Sequence, residues 1–287
     1  MTVLKSLPPI HIHPIMILFI LISIITGTFV QLLIIFTIVL LHEMGHYSMA
    51  RFFKWRIKGI VLWIFGGVME TDEHTTKPSY EEVLVTLAGP FQHVLIYFLT
   101  LLAASFDLFP HSINESILYY NGVILLFNLL PIWPLDGGKL LLILLSIHWP
   151  YKRAHQLTVM FSTLAVVMLI IGYTLMAPFT LGVYVIAVFL LIENHVERKR
   201  HSYIFLRFLL NRYENNGHIR GVSAIEVPSH SLVTDVFALF KREKRHQIYI
   251  VFPDQTRKMV DETECLRSYF YDKRHDRQMA DIAFHLP

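Results

Sequence analysis

The sequence predicts a polytopic α-helical membrane domain of six transmembrane spans, followed by a small cytoplasmic α/β domain. Three observations carry this expectation. The 287 residues are 54% hydrophobic and only 16% charged, whereas a soluble domain carries about 25% charge. Several uncharged runs approach the roughly 20 residues that a helix needs to cross hydrocarbon. Beyond about residue 195 the chain turns basic, then mixes polar residues with short β-branched runs such as "QIYIV" at 247–251.

Taken in order, the expected spans cover 10–28, 31–50, 82–104, 117–147, 157–176 and 179–195. The first two are joined by a tight turn at "TGT", 26–28. No small-residue cleavage site follows the first run, so no cleavable signal peptide is expected. The fourth run contains Pro131 and Pro134 and cannot be one straight helix, because proline removes a backbone donor and clashes with the preceding turn. Lysine and arginine set the orientation. Arg51, Lys54, Arg56, Lys58 and Lys77 lie between spans two and three, Lys152 and Arg153 between four and five, and Arg198, Lys199 and Arg200 after six. The alternate loops, "SFDLFPHSINES" and "APFTLG", contain neither residue. Both termini are therefore expected in the cytoplasm. These spans form a domain over 1–195, a basic amphipathic connector covers 196–220, where a solvated connecting helix that could lie on anionic lipid is the favoured account and direct substrate binding the alternative, and the α/β domain covers 221–287. The single cysteine, Cys265, excludes an internal disulfide.

The chemistry is expected at "FTIVLLHEMGHYSMARFF", 36–53. His42 and His46 are four residues apart, so on a helix they share a face and both rings reach one ion. Glu43 lies beside them. Ionisable groups next to hydrocarbon are costly and mark function. The H-E-x-x-H spacing supplies two zinc ligands and a general base. Interior polar histidines bonded to neighbouring helices are the competing account of the pair alone. A third ligand, Asp136, sits in "NLLPIWPLDGGK", 128–139, where the prolines remove backbone donors and Gly137 and Gly138 permit unusual dihedrals. Broken helices at membrane depth line cavities. Two histidines and one carboxylate leave a position for an activated water, whose proton Glu43 takes and passes to a leaving amine. The reaction implied is peptide hydrolysis within the membrane.

"HEMGH" on an early span with "NLLPIWPLDGG" on a later one resembles the site-2 protease family of intramembrane zinc metalloproteases. The resemblance implies zinc on His42, His46 and Asp136, with Glu43 catalytic. "WIFGGVME", 63–70, resembles the family segment that dips beside the active site. Its strand edge could pair with an unfolded substrate, and Phe65, Gly66 and Gly67 become candidates for substrate support, with Pro134 from the broken span. An ordinary cytoplasmic loop is the plainer account of that segment. "AGPFQHV", 88–94, resembles a motif of the third span, with His93 where many members carry Asn; His93 is not assigned as a ligand. Asn128 either donates to the oxyanion or bonds a backbone carbonyl freed near Pro131. Over 221–287 the sequence reads as a helix over 231–244, the strand "HQIYIV", a short return strand and a closing helix, an order that resembles a CBS module. A single repeat implies pairing between protomers or with another protein, with ATP or a related adenine nucleotide as ligand. The whole plan resembles a sporulation branch of the family. That implies the sigma-K precursor as membrane-associated substrate, inhibitory membrane protein partners, and a place in the mother-cell membrane around the forespore.

Two rival classes use the same residues. A metal transporter or sensor would need further carboxylates or histidines along a path, and the outer halves of the spans offer few. An inert scaffold would have no need of Glu43. The "HIH" at 11–13 is expected at the interface, and His148 and His155 in solvent. No phosphate loop or Ser/His/Asp pattern is present, and no nucleic-acid partner is expected.

Overall fold

The computed structural model describes residues 10–12, 14–63, 66–71, 77–214, 219–272 and 276–284. The chain divides into two compact units, one of Met1–His74 with Ser79–Leu140, the other of Thr75–Pro78 with Leu141–Pro287.

The first unit runs β1 (Ile10–Ile12), α1 (Pro14–Ile25), α2 (Phe29–Phe52), β2 (Ile57–Trp63), β3 (Gly66–Thr71), α3 (Ser79–Ser105), α4 (His111–Asn128) and the start of α5 (Asp136–His148). Its sheet has the order β1-β2-β3, with β1 parallel and β3 antiparallel to β2. The expected first span is therefore shortened. Residues 10–12 pair with Ile60–Leu62, so His11 is a strand residue, and the helix starts at Pro14, whose missing N–H costs nothing in a first turn. The turn at 26–28 forms as expected, with Gly27 at φ 75°.

Helix α3 buries Glu82, Thr86, Gly89, His93, Ile96 and Thr100, a single stripe at three- and four-residue spacing. Helix α2 buries Ile38, His42, His46 and Ala50 on one line. The opposite faces carry exposed Phe91, Leu95, Phe98 and Leu102 on α3 and Val30, Leu33 and Leu41 on α2. Polar groups inside and apolar groups outside invert the pattern of a soluble bundle and suit lipid.

Among the described residues, three helices are long and apolar enough to cross a membrane: α2, α3 and α6 (Tyr151–Met176); the apolar stretch Met16–Ile25 is shorter. The fourth expected span is broken where the prolines stand, α4 ending at Asn128 and α5 beginning at Asp136. The sixth continues without interruption into the expected connector as α7 (Leu181–Tyr213), a single 33-residue helix. No glycine or proline interrupts 183–213, so nothing in that stretch ends the helix.

The second unit also holds β4 (Gly221–Pro228), α8 (Val233–Phe237), β5 (Lys244–Val251), β6 (Arg257–Asp261), α9 (Glu262–Phe270) and α10 (Met279–Phe284). Its sheet order is β4-β5-β6, with β4 parallel and β6 antiparallel to β5. Two strands were expected here; β4 is the third. Only Val227 of β4 is fully buried, which is why its apolar signal is faint. The helix expected over 231–244 shrinks to α8, and the polar "KREK" turns back through Glu243 at φ 59°. Phe208, Leu209, Phe237, Phe240, Ile248 and Leu266 belong to one buried cluster. Cys265 lies in it, where burial pushes its thiol up and leaves it unreactive.

Candidate metal centre

His42, Glu43 and His46 stand on the inner face of α2, each 4–5% exposed, and Asp136 opens α5 at 3%. Asp136 Oδ2 is 3.1 Å from His42 Nε2 and 3.1 Å from His46 Nε2, and the two Nε2 atoms are 3.0 Å apart. Zinc bonds of about 2.0–2.1 Å in tetrahedral array put donor atoms about 3.3 Å apart. The triangle is therefore sized for one ion. Among the described residues it is the one group of histidine, cysteine and carboxylate side chains that could hold a metal.

The protons agree with this. His46 Nδ1 lies 2.8 Å from the Val85 carbonyl, which can only accept. Nδ1 therefore carries the hydrogen of the neutral ring, and Nε2 presents a lone pair. Asp136 Oδ2 is buried without a hydrogen bond. Two acceptors facing each other at 3.1 Å fit a shared cation and fit no direct hydrogen bond. Lys139 Nζ donates to the other oxygen, Oδ1, at 3.0 Å, leaving Oδ2 to face the rings.

Space is made by glycine at two contacts. A Cβ on Gly89 would stand 2.3 Å from His46 Nε2 and 2.8 Å from His42 Cε1, so α3 can approach the rings only without a side chain there. A Cβ on Gly67 would stand 2.2 Å from Glu43 Cγ, because β3 passes directly over that carboxylate. Glu43, His46, Met69, Val85, Thr86 and Lys139 line a small cavity. Gly137 and Gly138 are not among the positive-φ residues, contrary to the expectation of unusual dihedrals; a Cβ on Gly137 would stand 2.2 Å from the Leu130 carbonyl, so smallness is what the break requires.

His42, Glu43, His46, Asp136 and Gly67 are thus brought together. Gly66 pairs with Trp63 in the β2–β3 ladder. The Trp133–Pro134 peptide is cis. Asn128 Nδ2 donates to Ile124 O at 3.0 Å, within its own helix and not near Pro131. Phe65 and His13 lie outside the described residues. His155, expected in solvent, is buried with Nε2 2.9 Å from Glu197 Oε1, because α6 and α7 pack over it. Sequence reasoning assigned no role to Lys139, Gly89 or Asn121. For Asn121 the available signal was a polar residue in "ILYYNGVILLFN", seven residues from both Asn114 and Asn128.

Residues 30–117 and 110–171 match the sequence model of peptidase family M50. Stage IV sporulation protein FB of Bacillus subtilis (strain 168) is 38% identical over 274 residues, covering 95% of this chain and 95% of that protein. A zinc metalloprotease of Methanocaldococcus jannaschii is 31% identical over 177 residues, 57% of this chain and 51% of that one. Among solved structures, the site-2 protease from Methanocaldococcus jannaschii superposes with a TM-score of 0.54 at 24% identity, over 66% of this chain and 90% of that chain, a likeness of fold.

Proposed function

The chain belongs to peptidase family M50, the site-2 proteases, and is an intramembrane zinc metalloprotease; on that premise we propose that His42 Nε2, His46 Nε2 and Asp136 Oδ2 hold one zinc ion and that Glu43 is the catalytic base. The observation that carries this reading is the triangle of three buried donor atoms, 3.0–3.1 Å on a side, with Glu43 next to His42 on the same helix. Zinc in such a donor set supplies a Lewis acid that activates water at neutral pH.

The chain's own residues do the rest. Glu43 takes the proton as water attacks the scissile carbonyl and returns it to the amine that leaves. Lys139 holds Asp136 in place. β3 lies at the edge of its sheet, and its free side would take an extended, unwound substrate segment as an added strand. Phe65, Gly66, Gly67, Pro134 and Asn128 would support that segment, and Asn128 would have to release Ile124 O to reach an oxyanion.

The finer organisation belongs to the same proposal. The membrane domain, 1–195, has six spans with both termini cytoplasmic, and 196–220 and 221–287 form connector and CBS-like domain. The strand–helix–strand–strand–helix order of β4–α9 supports the last assignment, with ATP or a related nucleotide bound on pairing of two protomers. The full-length relative is a stage IV sporulation protein. It supports the sigma-K precursor as substrate, a mother-cell membrane location and inhibitory membrane partners. Co-expressing the native chain and His46→Ala separately with that precursor tests the assignment. A shortened precursor with the native chain alone is expected; no product, or equal product in both, overturns it.

A further inference from the structure

His93 is fully buried on α3, and Asn121 is 2% exposed on α4. His42 Nδ1 lies 3.0 Å from His93 Nε2. His93 Nδ1 lies 2.8 Å from Asn121 Oδ1, and Asn121 Nδ2 lies 2.9 Å from the His93 carbonyl. A backbone carbonyl can only accept, so the Asn121 nitrogen faces it and the Asn121 oxygen must face the ring. That oxygen also only accepts, so His93 Nδ1 carries a hydrogen. An imidazolium buried away from water without a bonded carboxylate is costly, and His93 has an amide partner instead. The ring is neutral and its Nε2 bare. His42 Nδ1 must then be the donor, which leaves the His42 Nε2 lone pair facing His46 and Asp136. With His93 neutral, the main-chain oxygen of His93 fixes the orientation of Asn121 and through it the hydrogens on His93 and His42.

We propose that His93, oriented by Asn121, is a positioning residue that holds His42 in the tautomer able to ligate metal through Nε2. The inference rests on the zinc site proposed above. Ligating histidines commonly donate their second ring nitrogen to an outer partner that sets ring angle and tautomer. Here that partner is a second histidine, whose ambiguous proton is settled by an asparagine two helices away from the ligand. A merely packed histidine would fill the same space whichever nitrogen carried the hydrogen.

The test uses purified full-length protein in detergent, with zinc affinity from chelator competition and histidine tautomers from NMR of isotope-labelled rings. Native protein should bind zinc and, when stripped of metal, show His42 protonated on Nδ1. His93→Leu should weaken zinc by about 10–100-fold, the range for lost outer-shell partners. His93→Gln, whose amide oxygen again accepts from Nδ1, should recover most of that loss. Asn121→Leu should keep the fold and zinc stoichiometry while mixing the His42 tautomers. Native zinc affinity in His93→Leu, or His42 protonated on Nε2 in the native chain, overturns the proposal. Failure of the native chain to bind zinc overturns instead the metal reading on which it rests.

Discussion

Gly67 and Gly89 approach the same site from different elements, and their substitution separates two functions. A methyl group at Gly89 enters the space of His46 Nε2 and His42 Cε1, whereas one at Gly67 meets Glu43 Cγ, Cδ and Oε1. Neither can be absorbed by a freely swinging side chain, since all three are buried. Gly89→Ala should therefore lose zinc and activity together. Gly67→Ala should keep zinc and lose turnover, by about 100-fold if Glu43 shifts by an ångström. Elemental analysis and a cleavage assay on both variants decide this. Asp136→Asn should also release zinc, because an amide is a poorer ligand than a carboxylate and Lys139 would lose its anionic partner at 3.0 Å; a variant that binds zinc as the native chain does would move the third ligand elsewhere. The grouping of His42, His46 and Asp136 beside Glu43 was legible because their spacing and apolar setting are unusual. Lys139 and Asn121 were not, because their roles arise from hydrogen bonds between elements that spacing does not encode.

At the scale of elements, the prolines made the break between α4 and α5 readable, while β1 and β4 escaped notice. Three residues of β1 carry too little pattern, and β4 buries one residue fully. The junction of α7 with the C-terminal sheet was also hidden. Arg212, in the last turn of α7, donates to both oxygens of Glu262 at 2.8–2.9 Å and to the Lys241 and Lys244 carbonyls. His246 stacks on Phe240, its Nδ1 bonded to Glu262 at 2.8 Å and its Nε2 accepting from the Lys241 N–H. Burial, with Arg212 nearby, holds His246 below its ordinary 6.5 against the pull of Glu262. Burial alone would raise Glu262, but its bonds from His246 and Arg212 hold it below the usual 4.5. Both folded values are depressed, so in both cases the unfolded chain binds more protons and stability falls as pH falls. The histidine contribution is lost first, from about 6.5 downward, and the glutamate contribution below about 4.5. Amide protection over 221–272, corrected for the intrinsic exchange rate at each pH, should fall as pH drops from 7 to 5. Unchanged protection across that range would contradict the assignment of a neutral, buried His246.

For the whole molecule, the donor triangle and Glu43 lie entirely within the first compact unit, which ends at Leu140. The C-terminal sheet shares the second unit with α6 and α7, where the Tyr151 N–H donates to the Phe240 carbonyl and the Tyr151 ring stacks on Phe208. Truncation after Asn194 should therefore leave zinc bound while cleavage of the native substrate falls, and loss of zinc in that variant would show that the site depends on residues beyond Asn194. If the C-terminal domain senses nucleotide, cleavage by the full-length protein should change between zero and millimolar ATP; a flat response with no binding would leave it a docking surface. The central claim is that zinc held by His42, His46 and Asp136 and a proton moved by Glu43 together cleave a peptide bond. Its most direct test is zinc per chain and substrate cleavage, measured on the same preparations of native protein and Glu43→Gln. The amide is nearly isosteric but cannot take a proton at neutral pH, so zinc should stay at the native level while cleavage falls at least about 100-fold. Cleavage near the native rate in Glu43→Gln, or a native enzyme active without bound zinc, would contradict it.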